Sequence, residues 1–63
     1  MRTYNELLDL ATSYANTARL TTSPELACQL WRTAIEYQEN AAKLNDGKLP
    51  DIGDPPIVFV GRP

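Results

Sequence analysis

Apolar residues recur along this chain at helical spacing in two stretches, then give way to a tail broken by prolines. Tyr4, Leu7, Leu8, Ala11, Tyr14, Ala15 and Ala18 follow one another at spacings of three and four, which puts them on one face of a helix. Leu10 falls off this stripe, and Thr12, Ser13, Asn16 and Thr17 make the other side polar. Thr3-Tyr4-Asn5-Glu6 fits a capping box, in which the Thr3 hydroxyl accepts from the Glu6 amide and the Glu6 carboxylate reaches back to the Thr3 amide. The pattern predicts a helix over about 4–19.

Thr21-Thr22-Ser23-Pro24 ends that helix and starts another. Ser23 is a favoured N-cap, Pro24 suits the first helical position, and Glu25 complements the helix dipole. The second stripe is Leu26, Ala27, Leu30, Trp31, Ala34, Ile35, Tyr37, Ala41 and Leu44, with Glu39 and Lys43 paired at i,i+4. Asn45-Asp46-Gly47 supplies a stop, with Gly47 expected in the left-handed region. This predicts a helix over about 24–45. So short a connection lays the two helices antiparallel, as an αα-hairpin.

The expected fold class is therefore all-α: a hairpin over 1–47 followed by an extended, proline-rich tail over 48–63. Pro50, Gly53, Pro55, Pro56 and Pro63 forbid a regular helix there. The tail nevertheless carries Ile57-Val58-Phe59-Val60, an apolar run that would be adhesive if left exposed. It is expected to be covered, by the hairpin, by a second copy of the chain or by a partner.

Size sharpens that expectation. A 63-residue chain buries only about 60% of the surface its unfolded form exposes, and core gain and ordering entropy nearly cancel. Disulfides, metals or association usually close the gap. Cys28 is the single cysteine and there is no histidine, so neither an internal disulfide nor a zinc site is expected. Dimerisation into a four-helix arrangement, or docking on a partner, is the remaining route. The candidate interface comprises Leu26, Leu30, Trp31 and Ile35 of the second helix with Ile57, Val58, Phe59 and Val60 of the tail. Trp31 is its expected anchor, since tryptophan is enriched at binding hot spots; packing inside the hairpin is the other reading. The alanines Ala11, Ala15 and Ala18 read as ordinary core spacing.

Several chemistries find little support. The net charge is −2 and the six basic residues, Arg2, Arg19, Arg32, Lys43, Lys48 and Arg62, are scattered, unlike the clustered footprint of a nucleic-acid or membrane-surface binder. No stretch suits a signal peptide or a membrane span, so a reducing cytoplasm is expected. Met1 directly before a helix-start signal suggests a complete small gene product. Cys28 lacks a histidine to act as its base. Asp46, Asp51 and Asp54 lack the spacing of a calcium loop and read as turn residues. Glu36 and Glu39 read as a solvated face. No catalytic residue, cofactor, metal or small-molecule substrate is expected. A helix-turn-helix regulator of DNA is the alternative, although its recognition helix would open with Pro24-Glu25-Leu26-Ala27-Cys28, which has no base-reading side chain.

In its length, in the opening Met1-Arg2-Thr3-Tyr4-Asn5-Glu6-Leu7-Leu8 and in Cys28-Gln29-Leu30-Trp31-Arg32, the chain resembles the small early proteins of lambda-like phages. These are encoded between the recombination exonuclease and excisionase genes. The resemblance covers the whole chain and brings no catalytic residues with it. It implies a non-enzymatic modulator of host physiology, or of the choice between lysis and lysogeny, acting on proteins of the bacterial host.

Overall fold

Two helices pack along their length through alanine. The computed structural model describes residues 2–56, and among them the regular elements are α1 (Tyr4–Leu20) and α2 (Pro24–Lys43), with no strand. Ala11, Ala15 and Ala18 of α1 and Ala27, Ala34 and Ala41 of α2 have no exposed surface at all. On α2 these alanines recur every seven residues, and on α1 Ala11 and Ala18 do the same. That period keeps one narrow seam turned toward the neighbouring helix over several turns. A methyl group is the whole side chain at each point, so the backbones can approach to the short end of the usual interaxial range of about 8–10 Å. Alanine is also the best helix former and loses no side-chain entropy on burial. The seam therefore costs little to order, although each methyl contributes only about 0.8 kcal/mol of burial. Because it runs from Leu7 to Ala18 and from Ala27 to Ala41, the pairing is lengthwise. It is not the crossing of about 90–120° found in a helix-turn-helix.

The helix ends follow the local chemistry. The Thr3 amide donates to Glu6 Oε1 at 2.8 Å and the Glu6 amide to Thr3 Oγ1 at 3.2 Å, completing the capping box. Hydrogen bonding to Thr3, through its backbone first and its side chain second, holds the Glu6 carboxyl below its ordinary value. A depressed carboxyl stabilises the fold above its unfolded pKa, and that contribution fades as pH falls through the lowered value. At the start of α2 the Leu26 amide reaches Ser23 Oγ at 3.4 Å, with Pro24 in the first turn. α2 stops at Lys43, two residues short of the expected end at Asn45. The chain tightens there: the Ala42 carbonyl accepts from both Asn45 and Gly47, at 2.9 and 2.8 Å. Both Asp46 (φ 54°) and Gly47 (φ 80°) then turn left-handed, so the reversal takes two residues instead of one.

Residues 48–56 run back along the hairpin as a strap. Ile52, 5% exposed, packs with Ala11, Ala15 and Ala34 across the seam, and Pro56 is also buried. Gln38 Nε2 donates to the Pro50 carbonyl at 2.7 Å. Arg19 Nη1 donates to the carbonyls of Ile52 and Asp54 at 3.1 and 2.8 Å, while its Nη2 donates to Asn16 Oδ1. Between these contacts Gly53 sits at φ +93°, where an added Cβ would lie 2.8 Å from Arg19 Nη1. Gly53→Ala must therefore adopt a left-handed backbone and displace the guanidinium from its two carbonyls. We expect it to cost about 1–2 kcal/mol and to lower the melting temperature by roughly 5–10 °C in a circular dichroism scan. An unchanged melt would mean that the strap adds nothing to stability.

Candidate functional site

With the seam filled by alanine, every large apolar side chain of the helices except Leu7 is left at least partly exposed on a flank. The buried core of the described residues is Leu7, Ile52, Pro56 and alanines, and none of its large side chains is completely enclosed. The flanks differ. Gln38 reaches the strap while its neighbour Tyr37 stacks on Tyr14, ring centroids 5.7 Å apart. Adjacent positions on α2 thus fall on opposite sides of the seam.

On the strap side, Trp31 and Ile35 are half-buried against the core cluster and line a shallow depression of about 240 Å³ with Cys28 and Arg32. On the other side, Leu30 lines a depression of about 210 Å³ with Ser13, Tyr14 and Thr17. The sequence pattern treated Leu26, Leu30, Trp31 and Ile35 as one patch. The structure divides them, because a stripe centred on Ala27, Ala34 and Ala41 has Trp31 and Ile35 on one margin and Leu26 and Leu30 on the other. Leu26 is 47% exposed and Leu44, further along the same margin, 53%. Ile57, Val58, Phe59 and Val60, the other half of the expected interface, lie outside the described residues.

Both depressions are smaller than the roughly 300–1,000 Å³ of a typical small-molecule site and lack its convergent polar groups. No cluster of metal-ligating side chains occurs among the described residues. Asp51 serves a turn instead, its Oδ1 accepting from the Gly53 amide at 2.9 Å. No helix among the described residues is long and apolar enough to cross a membrane. What these flanks offer chemically is apolar contact area.

Two features of this surface escaped the sequence pattern. Arg19 was one scattered cation among six, and only its approach to carbonyls more than thirty residues away marks it as the clamp of the strap. Tyr14 and Tyr37 were core positions in separate stripes, and only the antiparallel pairing stacks them, with the Arg2 guanidinium 5.9 Å from the centre of the Tyr37 ring. The chain matches no protein-family model, no curated protein and no solved structure.

Proposed function

We propose that this chain is a non-enzymatic protein–protein interaction module, acting in a bacterial cytoplasm as a phage-encoded modulator of the host or of the lysis–lysogeny choice. One observation carries the first half: the seam is alanine, so Leu26, Leu30, Trp31, Ile35, Tyr14 and Tyr37 all remain at least partly accessible. A soluble chain this small gains little from such side chains unless something else covers them. The second half rests on the resemblance to small early proteins of lambda-like phages, which makes bacterial proteins the natural partners.

The test is an affinity capture from bacterial lysate with the full chain, with Trp31→Ala, and with a chain ending at Pro56. A protein held by the full chain and reduced about tenfold or more by Trp31→Ala is expected if Trp31 is an anchor. Loss of the same protein on removal of 57–63 would add the tail to the binding surface. The reading fails if Trp31→Ala keeps its mass, its helicity and every protein that the full chain retains.

A further inference from the structure

The strap of residues 48–56 sits on the hairpin as a short peptide sits in a receptor groove. Alternate carbonyls of the strap are captured. Pro50 accepts from Gln38 Nε2 at 2.7 Å, and Ile52 and Asp54 accept from Arg19 Nη1 at 3.1 and 2.8 Å. The donors are side chains, one on each helix. Between them Ile52 packs into the cluster of Ala11, Ala15 and Ala34. Main-chain bonds that hold a segment, with a pocket that reads one side chain, are the usual elements of extended-peptide recognition.

Each half of this contact is shaped without the other. On α1, Asn16 Oδ1 accepts from Arg19 Nη2, which holds the guanidinium beside the groove from within its own helix. On the strap, Asp51 Oδ1 accepts from the Gly53 amide at 2.9 Å, which bends the segment around Ile52 from within itself. A site and a ligand that are each formed locally lose little freedom on meeting, and they can part without either being undone. The strap also joins α2 through a turn that is exposed from Lys43 to Leu49, with Asp46 and Gly47 left-handed. Within the strap Ile52 and Pro56 are buried and Lys48, Leu49, Asp51, Gly53, Asp54 and Pro55 are exposed, so its hold is concentrated at a few points.

We propose that the groove between α1 and α2 is a peptide-binding site, filled at rest by the chain's own strap and open to an extended segment of a partner protein. The strap shows what that segment must carry. A branched aliphatic residue takes the place of Ile52. Glycine follows it, because the backbone at Gly53 has φ +93° and a Cβ there would stand 2.8 Å from Arg19 Nη1. Carbonyls two residues before and two residues after the aliphatic one must be free to accept, as those of Pro50 and Asp54 are here. Prolines on either side, like Pro50 and Pro55, keep such a segment extended. The strap is then an internal competitor, at an effective concentration of the order of millimolar set by its short tether, and a partner enters by displacing it. This goes beyond the interaction reading above, which concerns the depressions beside Trp31 and Leu30, and neither depends on the other.

The probe is a synthetic peptide of residues 48–56 with blocked ends, titrated to millimolar concentration into the full chain. It carries no aromatic residue, so binding is read from the fluorescence of Trp31, the sole tryptophan, which packs against the Ile52 cluster. Wild type should respond weakly. Full chains carrying Gly53→Ala or Ile52→Ala, whose own straps compete less, should bind the peptide about tenfold or more tightly. The same peptide made with either substitution should bind those chains about tenfold or more weakly. Equal binding by wild type and the loosened chains, or none by loosened chains that stay helical in circular dichroism, overturns the proposal. One helical variant suffices for the test; loss of the helices in both would make the strap part of the hairpin's own core, which also overturns it. Light scattering on the same chains should give the 7.0 kDa chain mass, and a doubled mass would overturn the partner segment as occupant in favour of a second copy's strap. Capture of another protein through Trp31 could still succeed in each case, so the two readings fail separately.

Discussion

Replacing Ala34 by leucine is expected to unfold the hairpin or to lower its melting temperature by about 10–20 °C, although the change adds apolar bulk to an apolar position. Ala34 has no exposed surface and touches Ala11, Ala15 and Ile52. Leucine adds three carbons where the facing helix presents the Ala11 and Ala15 methyl groups, with Leu8 and Tyr14 packed around the same cluster. Overpacking typically costs about 1–3 kcal/mol, and two stiff helices cannot yield at one point without opening the contacts above and below. Against a total stability of roughly 3–9 kcal/mol for a chain of this size, that is a large fraction. Ala34→Gly is the comparison: it removes one methyl and about 1 kcal/mol of helix propensity but forces nothing apart. The order of melting temperatures by circular dichroism should be wild type, then glycine, then leucine. A leucine variant at or above the wild type would mean that the seam has slack and is not the close contact described here.

Ile52→Ala should bring the second large loss, about 2–3 kcal/mol, from the lower half of the usual range for truncating a buried isoleucine. Ile52 is the strap's apolar anchor on the seam, 5% exposed. The polar ties around it, from Arg19 and Gln38, are part-buried or exposed, and a typical hydrogen bond contributes about 0.5–1.5 kcal/mol net, somewhat more with a charged donor. Without the anchor they should not hold the strap. Besides a lower melting temperature, trypsin should therefore cut faster after Lys48, which lies where the strap leaves the turn that ends α2. Equal cleavage rates and an unchanged melt would show that the strap is held from elsewhere.

The helices were legible in the sequence because their signals act over a few residues. Thr3 with Glu6, Ser23 with Leu26, and Pro24 in the first turn each solve a local problem of unpaired amides. The solution hardly depends on what packs above it. The end of α2 was placed two residues late because Asn45 and Asp46 suit either a last helical turn or the reversal that follows it. The bonds that Asn45 and Gly47 make to the Ala42 carbonyl decide for the reversal.

The candidate surface was only partly legible. Leu26, Leu30, Trp31 and Ile35 were picked out by size and period, and none of the four is buried: Leu26 is exposed and the other three are part-buried. That they fall on two sides of the hairpin was not visible. On α2 the alanine stripe and the larger residues beside it have the same helical period. Periodicity alone cannot say which of them faces α1, and size favours the wrong one.

Sequence alone thus determined two capped helices, a short connection between them (read as about four residues, three in the structure) and a proline-broken continuation, since each follows from backbone hydrogen bonding and side-chain sterics within about one turn. Tertiary structure decided which stripe became the seam. Alanine won because two backbones can close over methyl groups along their full length, while Trp31, Leu30 and Tyr37 would have held them apart. It also decided that Arg19 and Ile52 would meet across more than thirty residues of chain. Contacts at that separation are set by the path the backbone takes after α2, which no local propensity encodes.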